Sequence, residues 1–252
     1  VFIKLIKNLM KHLGKYESSV FVYGTPNRIS EPVFIRSGFE KINCKIFLKI
    51  LPLRIDFLLK SKVLKFFIRP LIVIYLKIVQ LILKKLSISS NLEIKKINNI
   101  IELPQENFFT NRIELYRTYE YLNWRFFKNP QKYDLYKIEF LDEYIGYIVF
   151  SETLRNNQLA LYITDFNLKK KYTKFIEKIL INILLSKYDI NKYSFVASWL
   201  SKKSLYWDEI SKFLPINKKD ISFIVHKKLL PKCFSKIDND NLHFVIGDGD
   251  NI

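Results

Sequence analysis

The sequence is poor in cysteine and histidine. Its two cysteines, Cys44 and Cys233, lie far apart, so they provide neither a disulfide framework nor the paired spacing of metal ligands. The three histidines, His12, His226 and His243, are equally scattered, whereas a zinc site needs clustered ligands. We therefore expect no metal. The rarity of cysteine is typical of a reducing compartment, so we expect a cytoplasmic protein.

Acidic residues are also scarce. There are 24 Asp and Glu against 42 Lys and Arg, which gives a formal net charge of +18. Such an excess is compatible with nucleic acid, an anionic membrane surface or an acidic cofactor as a partner. A composition biased toward Lys, Ile, Asn and Tyr accounts for the same excess without any partner. No basic platform with interleaved aromatics, as in the common RNA-binding modules, is visible, and we expect no DNA partner.

Long uncharged runs are absent as well. In the most apolar region, the longest stretch without a charged residue is Pro70–Leu76, far shorter than the ~20 residues of a membrane-spanning helix. Lysines interrupt the apolar first ten residues, which argues against a signal peptide. The first residue is Val1 rather than Met, so we expect a fragment or a processed chain.

Apolar residues, in contrast, are abundant. They make up 49% of 252 residues, enough for the core of one large domain or two small ones. Their spacing predicts a helix over residues 2–13. A strand is predicted over residues 19–23, and the segment Tyr23–Phe39 continues with a helix N-capped by Asn27 and a helix stop at Gly38. Residues 41–51 alternate in the manner of one or two further strands.

Residues 53–86 have a helical pattern that is both apolar and basic. Pro70 divides this region into two helices. Polar side chains fall along one side of the helical wheel: Lys62, Lys65, Arg69, Lys77, Gln80 and Lys84. Two interpretations remain open, namely a connector whose apolar face packs on flanking domains, and peripheral attachment to a membrane surface. The polar residues 87–91 mark a boundary.

The remaining residues alternate between strand and helix patterns. Strands are predicted over residues 92–97, 133–140, 143–150, 158–166, 193–199, 221–227 and 242–246. Helices are predicted over 170–187 and 202–213, and a further helix begins at Thr110 or Asn111 and ends at Phe127. Two strands form a hairpin around Leu141-Asp142. This alternation predicts a layered α/β fold with a mixed sheet.

Several short motifs occur in an order that resembles the GNAT acetyltransferase family. Asn27, Ser30, Phe34 and Gly38-Phe39 have the spacing of that family's helix-and-turn signature. The second part contains Tyr121-Leu122-Asn123-Trp124-Arg125-Phe126, Pro130, Tyr133, Gly146-Tyr147, Ile163-Thr164-Asp165 and Gly247-Asp248-Gly249-Asp250. These motifs resemble those of bacterial tandem-GNAT proteins, some of which accompany surface-polysaccharide gene sets.

The resemblance implies a GNAT-like mixed central sheet flanked by helices, present as one complete copy plus the C-terminal half of a first copy. It divides the chain into a half domain (residues 1–52), an amphipathic helical connector (53–90) and a complete second domain (91–252). It thus implies that the first domain is truncated at its N-terminus.

The resemblance also implies acetyl-CoA as a co-substrate, held between two central parallel strands. The family binds its pyrophosphate with backbone N–H groups of a glycine-containing loop at a helix N-terminus. The corresponding loop here follows Phe166 and reads Asn167-Leu168-Lys169-Lys170-Lys171-Tyr172-Thr173, without glycine. We therefore expect the second domain to be degenerate.

By the same resemblance, Tyr206 and Asp165 are the catalytic candidates. A tyrosine near the last helix would protonate the leaving thiolate, and a carboxylate would deprotonate the amine. Tyr206 also fits a half-buried aromatic residue, and Asp165 fits a turn or cap carboxylate. In the first part, Phe34 stands where the family tends to have the tyrosine, so Tyr23 is the nearby alternative there.

Four further residues are binding candidates. Asn27 and Tyr23 are candidates for contact with acetyl-CoA, although Asn27 is also an ordinary helix N-cap. Trp124 and Arg125 are candidates for clamping a substrate carboxylate or phosphate. Both also fit a structural role, in which a buried Arg125 pairs with one of three carboxylates: Asp165, Asp248 or Asp250.

Three functions remain open at this stage. The first is an acyl-CoA-dependent N-acyltransferase that acts on a small-molecule or amino-sugar amine. The second is a non-catalytic binding module that retains the GNAT fold. The third is a Fem-like aminoacyl transferase, a class that also pairs two GNAT-like domains and uses charged tRNA.

Overall fold

The computed structural model describes residues 2–13, 23–42, 45–54, 91–104, 117–155 and 158–226, with residues 71, 74, 75, 77, 78 and 81. The strands are β1 Tyr23–Gly24, β2 Phe39–Lys41, β3 Ile46–Pro52, β4 Leu92–Ile97, β5 Asp134–Phe140, β6 Glu143–Arg155, β7 Gln158–Leu168, β8 Phe195–Ser201, β9 Ile216–Ile221 and β10 Ile224–His226. The helices are α1 Phe2–Leu13, α2 Glu31–Arg36, α3 Tyr119–Leu122, α4 Ile176–Lys187 and α5 Trp207–Phe213. Short 3-10 segments span Ile100–Glu102, Lys170–Phe175 and Ile190–Lys192, and a π-helical turn spans Asn123–Phe127.

A seven-stranded mixed sheet forms the centre of the fold, in the order β4-β5-β6-β7-β8-β3-β9. The β7–β8 pair is parallel and the other neighbouring pairs are antiparallel. The largest apolar cluster lies on one face of this sheet, where α4 and α5 pack. A second cluster, which includes Leu122, Phe126 and Val149, lies on the opposite face. The predicted layered α/β arrangement is therefore confirmed.

A second, three-stranded sheet has the order β1-β10-β2. Here β10 pairs antiparallel with both neighbours, for example Val225 with Tyr23 and His226 with Phe39. In the large sheet, β3 likewise lies between β8 and β9 and is antiparallel to both. Each sheet thus contains one strand, paired on both sides, from the chain segment that builds the other sheet. We call the three-stranded sheet with α1 and α2 the first unit, and the large sheet with its helices the second unit.

The chain passes between the two sheets twice. The chain leaves the three-stranded sheet after β2 and enters the large sheet with β3, and it returns between β9 and β10. A small apolar cluster at these crossings combines Ile46 of β3 with Phe223 and Val225. The two sheets are therefore joined by strand pairing and by a shared apolar contact. The predicted division at residues 52 and 90 stays a prediction.

Several predicted elements have the expected bounds. The helix over residues 2–13 and the strand over 92–97 are confirmed. The hairpin turn lies at Leu141 and Asp142, whose positive φ angles of 51° and 62° match the twist of the flanking strands. Gly38, with φ 102°, ends the turn after α2 as predicted.

Other helices are shorter than predicted. The helix predicted to end at Phe127 is interrupted at residues 117 and 118, which are not helical. Helix α3 begins at Tyr119, because Thr118 is extended and its hydroxyl accepts from the Tyr121 N–H at 3.1 Å. Residues 105–116, including the expected start, lie outside the described ranges. The helix predicted over 170–187 begins with a 3-10 segment, and that predicted over 202–213 begins at Trp207.

The strand predicted over residues 221–227 corresponds to β10, Ile224–His226, while its first residue, Ile221, ends β9 in the other sheet. Of the strand predicted over residues 19–23, residues 19–22 lie outside the described ranges, and Tyr23 begins β1. The strand predicted over 242–246 and the Gly247–Asp250 motif lie outside the described residues. None of the helices in the described part of the chain has the length and apolar content that a membrane crossing requires. Within the same ranges, His, Cys, Asp and Glu form no group of three or more that could hold a metal ion.

Candidate functional site

The parallel strands β7 and β8 pair along part of their length and then separate. The ladder contains three positions, from Ala160 with Phe195 to Tyr162 with Ala197, although β7 continues to Leu168. One step further, the Ser198 hydroxyl donates to the Ile163 carbonyl oxygen at 2.9 Å. Beyond this point the backbone groups of β7 that face β8 must find other partners, because buried backbone groups are rarely left without hydrogen bonds.

Tyr206 supplies two of those hydrogen bonds. Lys169 N–H donates to Ile145 at 2.8 Å, so the N–H and C=O of the preceding Leu168 point to the opposite edge, toward β8. There the Tyr206 hydroxyl accepts from Leu168 N–H at 2.9 Å and donates to its carbonyl oxygen at 3.2 Å. The Tyr206 ring packs edge-on against Phe166, with ring centroids 5.0 Å apart. Tyr206 is completely buried, directly before α5.

Asp165 is also completely buried, but it is paired. The Nε of Arg117 donates to both carboxylate oxygens at 2.9 Å, and the Arg117 side chain is 3% exposed. The carboxylate further accepts from the Phe166 N–H at 2.8 Å and from the Tyr147 hydroxyl at 3.4 Å. Burial, followed by the nearby Asp165 charge, raises the pKa of Tyr147 well above its usual range, so this phenol remains a donor.

The structure does not bring Tyr206 and Asp165 together. Tyr206 belongs to the apolar cluster on the face of the sheet that carries α4 and α5. Asp165 contacts Tyr147, which belongs to the cluster on the opposite face. What the two side chains share is the edge of β7, since Asp165 accepts from Phe166 N–H and Tyr206 binds Leu168. With Ser198, they satisfy the backbone of β7 where β8 no longer does.

The loop after β7, where the resemblance places pyrophosphate binding, is occupied by an internal carboxylate. Glu143 accepts from Lys169 at 3.2 Å, from Lys171 at 2.8 Å and from the Tyr172 hydroxyl at 2.7 Å. The hydrogen bonds from Lys171 and then Tyr172 hold the pKa of Glu143 at about 2, so the carboxylate is ionised at neutral pH. The N–H of Tyr172 donates to the Lys169 carbonyl at 2.8 Å.

Trp124 and Arg125 lie in the π-helical turn that follows α3. The two side chains point differently, because Trp124 is 60% exposed and Arg125 is 8% exposed. The Trp124 ring lies 6.0 Å from the ring of Tyr121. The structure gives Asp165, one of the proposed partners of Arg125, an ion pair with Arg117. Asp248 and Asp250 lie outside the described residues.

Tyr23 and Asn27 belong to the three-stranded sheet and the turn after it. Tyr23 is half-buried on β1, and its ring stacks on Phe223 with centroids 5.5 Å apart. The Asn27 side-chain oxygen accepts from the N–H groups of Ile29 at 3.0 Å and Ser30 at 2.9 Å. Asn27 therefore caps a turn that precedes α2, one turn earlier than the helix itself.

Two buried cationic residues, Arg117 and Lys49, were not predicted from the sequence. The local sequence does not distinguish Arg117 as a buried residue, because the segment around it contains several basic residues. The local sequence does distinguish Lys49, because it interrupts the apolar strand β3. Lys49 is 2% exposed, its Nζ donates to the Ser211 hydroxyl at 2.7 Å, and it lies 4.1 Å from the centroid of the Trp207 ring. Desolvation lowers its pKa.

These contacts test whether the second unit fits an acyl-CoA. Such a ligand needs free backbone groups along the open edge of β7 and a loop whose N–H groups can approach a phosphate. Here Tyr206, Asp165 and Ser198 already bind the edge, and Glu143 already binds the lysines of the loop. The residues of the second unit therefore do not fit acyl-CoA at this position.

No protein-family model and no curated protein matches the sequence. Among solved structures, the chain is similar to a GCN5-related N-acetyltransferase from Anabaena variabilis ATCC 29413, with a TM-score of 0.50 and 12% sequence identity over 88% of this chain and 49% of that one. It is also similar to a functionally unknown conserved protein from Staphylococcus epidermidis ATCC 12228, with a TM-score of 0.46 and 10% identity over 89% of this chain and 78% of that one. The chain thus spans about half the length of the Anabaena protein. At this identity the likeness shows the fold alone, and the chain has a GNAT-like fold, a mixed central sheet flanked by helices.

Proposed function

We propose that this chain is part of an acyl-CoA-dependent N-acyltransferase, with acetyl-CoA as the co-substrate and a small-molecule or amino-sugar amine as the acceptor. The observation that supports the proposal is the GNAT-like sheet, with its parallel pair β7–β8 that pairs over three positions and then stops. The resemblance of Asn27 to Phe39 to the family's helix-and-turn signature adds to it. We assign cytoplasmic localisation to the same proposal.

Within this proposal the second unit is not the catalytic one. Tyr206 has the position of a proton donor near the last helix, but its hydroxyl is committed to the backbone of Leu168. Asp165 has the position of a carboxylate base, but it is held in an ion pair with Arg117 on the other face of the sheet. Neither group has access to an amine. Their role is to close the open edge of β7.

Acyl transfer is therefore assigned to the first unit. The first unit contains a helix, a strand, a second helix and a strand in sequence. Strand β10 of the second segment lies between its two strands, so the second segment is needed to build it. We propose that the second unit acts as scaffold and acceptor-side wall for the first.

Isothermal titration calorimetry with acetyl-CoA, together with a thiol-release assay on a panel of amines, tests this proposal in the full-length protein. We expect one site with binding that survives Tyr206→Phe, since this residue is assigned to structure. The matched substitution in the first unit is Tyr23→Phe, whose effect on the dissociation constant locates the site. Absence of both acetyl-CoA binding and thiol release would refute the acyltransferase.

A non-catalytic module is the second candidate, and the closed edge of β7 favours it specifically. Asp165, Ser198 and Tyr206 replace a ligand with side chains of the protein itself, which is the expected result when a cleft has lost its function. In the experiment above, this candidate predicts no heat on titration of acetyl-CoA and no thiol release. Turnover with any amine excludes it.

A further inference from the structure

The residues that the structure describes between 71 and 81 are helical, and four of them are exposed aliphatic side chains. Leu71, Ile74, Ile78 and Leu81 are all helical, and their exposed fractions lie between 48% and 67%. At 3.6 residues per turn, the spacing of three, four and three places them within about 80° of the helix circumference. We call these four residues the apolar stripe.

The segment is attached to the protein by its other side. Tyr75 is half-buried and packs against the main apolar cluster of the large sheet. Its hydroxyl donates to the Pro52 carbonyl oxygen at 2.8 Å, at the end of β3. On the helical wheel Tyr75 borders the apolar stripe on one side, and the exposed Lys77 borders it on the other. The stripe therefore points away from the core while the segment stays docked.

The sequence around the apolar stripe is strongly basic. Residues 53–86 contain a single acidic residue, Asp56, against eight basic ones: Arg54, Lys60, Lys62, Lys65, Arg69, Lys77, Lys84 and Lys85. The chain as a whole has a net charge of +18. Exposed aliphatic side chains, bordered by Lys77 and set in a segment of basic sequence, complement an anionic bilayer, in which the apolar side chains enter the headgroup boundary and basic side chains meet lipid phosphates. The same charges oppose the approach of a second copy of the chain.

We propose that the apolar stripe, bordered by Lys77, binds the protein peripherally to an anionic lipid surface. The stripe enters the interface in the plane of the membrane, and Tyr75 holds the helical segment on the sheet. This inference is independent of the acyltransferase, since it uses none of the residues at β7 or in the first unit.

Co-sedimentation of the full chain with phosphatidylcholine vesicles, with and without about 30% phosphatidylglycerol, tests the proposal. We expect binding to the anionic vesicles that weakens as NaCl rises from ~0.1 to ~0.5 M, because salt screens the lysines. The double substitution Ile74→Ser and Ile78→Ser should weaken this binding about 30-fold, since two half-exposed isoleucines lose their insertion. Lys77→Gln should weaken it about fivefold.

The matched control is the double substitution Ile101→Ser and Leu154→Ser, at two aliphatic side chains of the second unit that are 76% and 69% exposed. It removes comparable apolar surface elsewhere, and we expect unchanged vesicle binding. The proposal is overturned if the wild type ignores anionic vesicles, or if the control loses as much binding as the stripe variant. A concentration-dependent dimer that the stripe variant abolishes, without vesicle binding, would assign the stripe to a second copy instead.

Discussion

Replacement of Tyr206 by Phe tests the central structural assignment. The substitution removes one oxygen atom from a completely buried side chain and leaves the ring and its contact with Phe166 in place. The lost oxygen is the partner of both the N–H and the C=O of Leu168. Leu168 is itself completely buried, so water cannot replace the hydroxyl without rearrangement.

The expected loss of stability follows from the two backbone groups of Leu168 that lose their partner. A buried donor or acceptor that loses its partner costs about 1–3 kcal/mol. Since the N–H of Leu168 loses a hydrogen bond of good length and its carbonyl a longer one, we expect Tyr206→Phe to lower the free energy of unfolding by about 2–3 kcal/mol. For a protein of this size, that corresponds to a fall in Tm of roughly 5–10 °C.

Urea unfolding followed by tryptophan fluorescence measures this change, because Trp207 adjoins the substituted residue. Tyr162→Phe is the matched control. Tyr162 is also buried, at 8% exposure, and its hydroxyl makes no hydrogen bond within the described ranges. We expect the control to change the free energy of unfolding by less than about 0.5 kcal/mol.

Two results would refute the reasoning. If Tyr206→Phe and Tyr162→Phe cost the same, the hydroxyl of Tyr206 is not needed to close the edge of β7. If Tyr206→Phe leaves stability unchanged but abolishes thiol release from acetyl-CoA, Tyr206 is a proton donor and the second unit is catalytic.

Three further predictions concern other buried features. Arg117→Met should cost about 3–5 kcal/mol, since it removes the positive charge that is paired with the buried Asp165 carboxylate, and Arg117→Met with Asp165→Leu should recover most of that loss in a double-mutant cycle by urea unfolding. Lys49→Met should stabilise the fold by about 1 kcal/mol at neutral pH, because the lowered pKa reports an ammonium disfavoured by burial. Because Lys49 binds its proton more tightly in the unfolded chain, the stability of the wild type should rise as the pH approaches the ordinary lysine pKa of 10.5. The stability advantage of Lys49→Met should therefore shrink over that range in unfolding measurements. Gly146→Ala should cost about 3 kcal/mol or more, because φ is 150° and the new Cβ would lie 2.1 Å from a backbone oxygen, whereas Gly24→Ala, whose Cβ would meet its first neighbour at 3.7 Å, should be tolerated in thermal melts.

Each of these three predictions would be contradicted by a specific result. An additive cycle would show that Arg117 and Asp165 do not interact. A gain from Lys49→Met that stays constant up to pH 10.5 would show that the charge of this lysine is not what burial disfavours. Equal melting temperatures for Gly146→Ala and Gly24→Ala would contradict the close approach of β6 and β7.

Local pattern was sufficient where an element depends on its own residues. The spacing of apolar residues in Phe2–Leu13 encodes a helix, and the alternation around Leu141-Asp142 encodes a hairpin. Element starts were less predictable, as at Tyr119, because Thr110, Asn111 and Thr118 are all good N-caps and the sequence does not rank them. The candidate site shows the same limit, since Asp165 was found as a notable carboxylate but its partner Arg117 was not.

The sequence by itself determined the α/β class, the basic charge and the loss of glycine in the loop after β7, because each depends on composition or on neighbours along the chain. The tertiary structure alone decided that β3 lies between β8 and β9 and that β10 lies between β1 and β2, since partners over 140 residues apart leave no local trace. It also decided that Tyr206 and Asp165 lie on opposite faces of the large sheet, where each binds a backbone N–H of β7. Hydrogen-bond geometry across strands, and not residue type, separates a catalytic tyrosine from a structural one.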